Sequence, residues 1–174
     1  MNRIKVFTVV FSLALLCLTF QSIAWGDTWD RRTIVTFDTP VEVPGHGRPV
    51  VIGPGTFMFK LLDKVSDRNI IQVFNEDETQ LLTMILAVPD YRLQPTDKTI
   101  VKFGETSPNS PAAIREWFFP GENDGWEFVY PRSQAMKIAK ANNQNVLSTT
   151  EESKEPTTLL SAKVTAVTPQ GAGR

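Results

Sequence analysis

Cysteine and histidine are nearly missing from this chain: its 174 residues hold one of each, Cys17 and His46. A lone cysteine excludes an intramolecular disulfide framework. Because Cys17 lies in an N-terminal apolar run that reads as a removable leader, thiol catalysis is excluded with it. The single imidazole sits between two glycines in PGHGRP, with no second imidazole, adjacent nucleophile or carboxylates at ligand spacing. Neither a catalytic triad nor a metal site is indicated there, and His46 reads as a solvated loop residue. Phosphate loops are missing too, since GHG and GPG lack the lysine and the helix start that such loops require. No cofactor is implied. A basic excess is also absent: 18 Lys and Arg stand against 19 Asp and Glu. Without Arg3 and Lys5 of the leader the balance is 16 − 19 = −3, which leaves no footprint for nucleic acid. No cationic amphipathic helix offers itself to a membrane surface.

Long apolar runs are confined to the front of the chain. Arg3 and Lys5 precede a run over residues 6–20 broken only by Thr8, Ser12 and Thr19, after which small residues follow. This is the layout of an export signal over residues 1–26, with cleavage fitting after Ala24 or after Gly26. The run is shorter than the roughly 20 residues that cross a bilayer, so no integral membrane segment is expected once it is removed. Leu16 before Cys17 is not the small residue that precedes a lipidated cysteine. Export to the periplasm or the cell exterior follows, and 174 − 26 = 148 residues remain, enough for one domain without staples.

Between residues 32 and 103 apolar residues alternate or form short runs, cut by Pro, Gly, Asn and Asp every eight to twelve residues, the pattern of an antiparallel sandwich or small barrel. TIVTF (33–37) alternates, PVEV (40–43) is short and proline-led, and GPG (53–55) turns the chain into TFMFKLL, where Phe57, Phe59 and Leu61 share a core face. DKVSDRN reads as a hairpin loop, IIQVF (70–74) as a strand and NEDE as a turn. TQLLTMILAV (79–88) is apolar on both faces, as a central strand covered on both sides would be. A helix of that length is the alternative, but no cap precedes it and Pro89 follows at once. PDYRLQPTDK reads as a loop and TIVKF (99–103) as a strand.

Two short C-terminal helices are expected. One begins at Ser110 as cap with Pro111 at the first helical position and runs to about Phe118. The other lies in SQAMKIAKANN, with Ala135, Ile138, Ala139 and Asn142 on one stripe and Lys137 and Lys140 facing away. The fold class is therefore mainly β, over residues 27–147. Residues 148–174 are rich in Ser, Thr, Glu and Pro and read as a flexible tail; within it LLSAKVTAV alternates weakly and is able to add to a sheet edge.

FFPGENDGWEFVYP (118–131) is the one stretch with site-like composition. As a strand, WEFVYP projects Trp126, Phe128 and Tyr130 from one face and Glu127 and Val129 from the other. With Trp117 these rings could form an aromatic surface for a sugar, and two of Glu116, Glu122, Asp124 and Glu127 could serve as the carboxylate pair of a glycoside hydrolase. The plainer reading makes the rings core and PGENDG a polar turn in which Gly121, Asn123 and Gly125 permit left-handed backbone. Nothing in the spacing requires the acids to converge. EDE (76–78) and Asp97 lack the spacing of a calcium loop.

The strings SDR, QVFN, YRLQPTDKT, WFFPG and EFVYP resemble a family of small exported bacterial proteins with no assigned reaction, over about residues 33–141. Two departures stand out: GPGTF where relatives read Pro-Ala-Gly-Thr-Tyr, and Asn69 where they carry His. The resemblance implies export and a β-rich module. The expected function is an exported, non-enzymatic module of the envelope or cell exterior that binds a protein or polysaccharide through a sheet edge or through the surface of Trp117, Trp126, Phe128 and Tyr130; the alternative is the glycan hydrolase.

Overall fold

The computed structural model describes residues 31–62, 69–104 and 110–171. The expected leader, with Cys17, and the loop over 63–68 lie outside them. The described chain is mainly β. Its elements are β1 (Arg32–Phe37), β2 (Val41–Val43), β3 (Val50–Ile52), β4 (Gly55–Leu62), β5 (Asn69–Asn75), β6 (Leu81–Tyr91), β7 (Ile100–Gly104), β8 (Ala112–Phe118), β9 (Asp124–Phe128), β10 (Tyr130–Pro131), α1 (Arg132–Asn142), β11 (Val146–Thr149), α2 (Pro156–Ser161) and β12 (Val164–Val167). Nine strands form one sheet in the order β1-β4-β5-β6-β9-β8-β2-β3, with β7 also paired to β8; β10, β11 and β12 form a second. Pairing is antiparallel except at β2–β8 and β10–β11.

The alternation of β1 is realised residue by residue: Thr33, Val35 and Phe37 are buried, while Arg32, Ile34 and Thr36 face solvent. β4 turns Phe59 into the main core, with Phe57 and Leu61 packed against it. β6 lies between β5 and β9 and is covered on both faces, Ile85 and Ala87 by the main core and Leu86 by a second cluster with Ile70, Val129, Leu159 and Ala162. Its continuous apolar run is what two-sided burial demands. The strand does not stop at Pro89 as the sequence suggested. It continues to Tyr91, pairing Pro89 with Trp126, beyond Ala87 where the β5 ladder ends; among the described residues that stretch has a partner on one side only, so a missing N–H is tolerated as at an edge.

The helix expected over 110–118 is instead strand β8. Local capping signals lose to tertiary burial here, because β8 is central: β7 runs along one edge, while β2 at Ala112–Ala113 and β9 at Glu116–Phe118 share the other. Ala113, Ile114, Trp117 and Phe118 are all buried. The pairing skips Arg115, with Lys102 opposite Glu116 and Phe103 opposite Ile114. This bulge shifts the side-chain phase and hides the two-residue period from a reader of the sequence. On the other edge the Ile114 carbonyl lies between the ends of β2 and β9, and the Tyr130 hydroxyl donates to it. Burial pushes Tyr130 well above its ordinary pKa, so the hydroxyl keeps the proton it donates.

α1 matches the expected second helix. Gln134, Ala135, Ile138 and Ala139 are buried, Lys137 and Lys140 are exposed, and Asn143 ends the helix in the left-handed conformation at φ 52°. The C-terminal segment departs from the flexible tail read from its composition. β11 pairs with β12, so LLSAKVTAV does add a strand, and Leu159 of α2 packs over Ile70 and Leu86. The physical reason is that the outer face of β5 and β6 is apolar, and Leu159, Leu160, Ala162 and Val164 pack in the cluster that covers it.

Candidate functional site

The expected aromatic surface is not on the surface. Trp117, Phe128 and Tyr130 are fully buried and Trp126 is 4% exposed. Trp117 and Trp126 lie opposite one another on β8 and β9, ring centroids 5.0 Å apart. Their N–H groups are taken: Trp117 donates to Thr33 Oγ1 at 3.0 Å and Trp126 to Asn69 Oδ1 at 3.1 Å. A ligand could stack on these rings only by opening the core. The physical cause is β8 and β9 lying mid-sheet, where an aromatic face is worth more against other apolar groups than against water.

The four acids separate into different fates. Glu122 pairs with Arg31 at 2.9 Å, and Asp124 is exposed at the start of β9. Contrary to the expectation of scattered acids, Glu116 and Glu127 are cross-strand partners, on the face opposite the two tryptophans. Each has its own cation: Lys102 reaches Glu116 at 2.5 Å and Arg115 reaches Glu127 at 2.7 Å. The bulge aims Arg115 at this face, where it also donates to the Asn145 carbonyl at 3.0 Å. Burial raises the Glu127 pKa above its ordinary 4.5, the Arg115 hydrogen bond and charge oppose that, and Glu116 and Asp90 add to it. The arrangement is a neutralised four-charge network, not an acid poised beside a free base.

The PGENDG turn is held to the 91–96 loop. Gly121 donates to the Thr96 carbonyl, Asn123 Nδ2 to the Tyr91 hydroxyl, and Arg92 to the Glu122 carbonyl. Only Gly121 of its three proposed left-handed positions has a positive φ, 79°. Gly125 is required for another reason: a Cβ there would lie 2.2 Å from the Phe118 ring.

A cavity of about 290 Å³ opens elsewhere, lined by His46, Arg48, Val50, Leu81, Leu82, Thr83, Met84 and Lys154. Its wall comes from β3 and the start of β6, and its mouth from the 44–48 loop and the 152–154 segment. The loop is built rather than slack. A Cβ on Gly45 would lie 2.2 Å from the Arg48 carbonyl oxygen, so the chain folds back on itself only with glycine there. Gly47 has φ +72°, and its Cα faces the Glu152 carboxyl, which would be 2.9 Å from a Cβ. The buried Thr83 hydroxyl donates to the Pro44 carbonyl at 3.1 Å, fixing the loop to β6.

His46 is therefore not the fully solvated loop residue read from the sequence. It is half-buried, and its pKa is lowered from the ordinary 6.5, mainly by burial; the nearby Ser153 backbone opposes the shift and the Lys154 charge adds to it. Arg48 and Lys154 are exposed at the mouth and have no ion-pair partner among the described residues. Sequence reasoning missed them because they stand 154 − 48 = 106 residues apart, on a short loop and on a segment read as flexible. The two glycines bracketing His46 were the only local signal of a shaped loop.

Among the described residues no group of three or more His, Cys, Asp or Glu is placed to hold a metal ion, and no helix is long and apolar enough to cross a membrane. Comparison with protein-family models, with curated proteins and with solved structures finds no match in any of the three.

Proposed function

We propose that this chain is an exported, non-enzymatic binding module of the envelope or cell exterior, and that its partner, a protein or a polysaccharide, presents a small group to the cavity beneath the 44–48 loop. The observation that carries this reading is the convergence of an imidazole and two cations, neither ion-paired among the described residues, on a hollow partly lined by aliphatic side chains, whose loop is held by glycine geometry and a buried hydroxyl. A preformed concave site with few polar groups is the usual form of a small-ligand site, and this one lies at the small end of the roughly 300–1,000 Å³ range. We read the large sheet as a barrel-like curl that holds β3 and β6 rigid behind it. Supporting that curl, Phe37 of β1 meets Phe103 of β7 at 6.2 Å, and Trp117 of β8 bonds Thr33 of β1.

A thermal-shift screen of the mature chain against small acids, sugars and peptides tests the site. Stabilising compounds should lose their effect in Leu81→Trp, which fills the mouth from a position already 41% exposed. Compounds that stabilise the variant equally would place binding elsewhere.

The glycan hydrolase has one observation in its favour, the Glu116–Glu127 juxtaposition. Against it, both carboxylates are engaged by cations. Glycan hydrolysis by the wild type that vanishes in Glu127→Gln would establish it over the binding module.

A further inference from the structure

Resting on the proposal that the cavity is a ligand site, we infer that the group it takes is a carboxylate carried on a short aliphatic chain. The mouth supplies the charge recognition. Arg48 offers a planar fork suited to a carboxylate and Lys154 a second cation; the acid nearest in the fold, Glu152, packs on Gly47, and neither cation is in an ion pair among the described residues. The wall supplies the rest: Val50, Leu81, Leu82 and Met84 are aliphatic, and the one hydroxyl among them, on Thr83, is already given to Pro44. A sugar would find no aromatic platform among the lining residues. A bare phosphate would be held by the cations alone and would leave the aliphatic side chains of the wall without a partner. An aliphatic acid satisfies both halves, burying its chain against the wall and its charge between the cations.

His46 adds a pH dependence to this pairing. It is faced by Arg48 on its own loop and by Glu152 and Lys154 on the C-terminal segment. Burial and Lys154 favour its neutral form, against the Ser153 backbone. A bound carboxylate favours its protonated form, so by linkage the acid binds more tightly as pH falls from 7.5 toward 6, while it is itself still ionised.

The same chemistry could come from a free short-chain acid or from the C-terminus of a partner polypeptide, and calorimetry on the mature chain separates them. Hexanoate stands for the first and N-acetyl-leucine for the second, with hexan-1-ol, N-acetyl-leucinamide and glucuronate as comparators. The inference expects an acid to bind, its neutral analogue to bind at least about fivefold more weakly, and Arg48→Gln or Lys154→Gln to weaken it by about threefold to fivefold at low salt. The tightening toward pH 6 should disappear in His46→Gln. Which acid binds better identifies the source. If hexan-1-ol or the amide binds as tightly as its acid, or glucuronate binds better than both acids, the carboxylate inference is overturned while the cavity remains a site. If none binds, both fall.

Discussion

The β8–β9 hairpin and the 44–48 loop are made of opposite materials and end in opposite states. The hairpin and its turn hold two tryptophans and four acids, the raw composition of a sugar site, yet the rings are sealed in the core and three of the acids are matched to cations. The loop holds one histidine, one arginine and two glycines, and it borders an open cavity with its arginine in no ion pair among the described residues. Composition marks where strong interactions are available. Whether they are spent inside the molecule or left for a partner depends on position in the sheet: β8 and β9 are central, whereas β3 ends the strand order and leaves its flank open.

If this contrast is right, damage to the hairpin should appear as lost stability and damage to the loop as lost binding. The largest effect is expected for Trp117→Ala, which empties a fully buried site and costs about 3–5 kcal/mol in denaturant unfolding. A loss under about 1 kcal/mol would mean that the ring is not core. Arg115→Met should come next, at about 2 kcal/mol, because Glu127 keeps its half-buried position and loses a charged hydrogen bond. Gly47→Ala forces a residue with a side chain into a left-handed φ and should cost about 1 kcal/mol; its sharper signature is weakened ligand binding at the cavity, which neither hairpin variant should share if it stays folded.

The smallest effect is a slope. The Glu127 pKa is raised in the folded state, so its protonated form stabilises the fold below its ordinary 4.5 and that contribution is lost as pH rises through the raised value. Glu127→Gln removes the titration, and its stability relative to the wild type should improve between pH 4 and pH 7. A relative stability that is flat or moves the other way would show that Arg115, rather than burial, dominates the site.

The expectations drawn from the sequence divide along the same line. Where one face of a strand meets solvent, as in β1, alternation alone identified both the strand and its inward residues. Where burial was two-sided and unbroken, as in β6, an apolar run bounded by a turn was enough. At β8 a bulge at Arg115 disturbed the period and a Ser-Pro-Ala-Ala start imitated a helix. In the C-terminal segment the apolar residues scattered among Ser, Thr and Glu were too few to signal order, because the value of Leu159, Leu160, Ala162 and Val164 lies in the face of β5 and β6 that they cover. The cavity was the least legible feature. None of its segments is distinctive alone, and no rule of spacing links residue 48 to residue 154.

By itself the sequence determined that this is a mainly β chain with a central strand apolar on both faces and an amphipathic helix at 132–142, since those properties follow from side-chain periodicity and need no distant partner. Only the tertiary structure decided that β8 is a strand, that the tryptophans are core, that Glu116 faces Glu127, and that His46, Arg48 and Lys154 share one cavity. Those outcomes depend on which surfaces meet, and the free energy of burial or ion pairing belongs to the pair of surfaces rather than to either segment of chain.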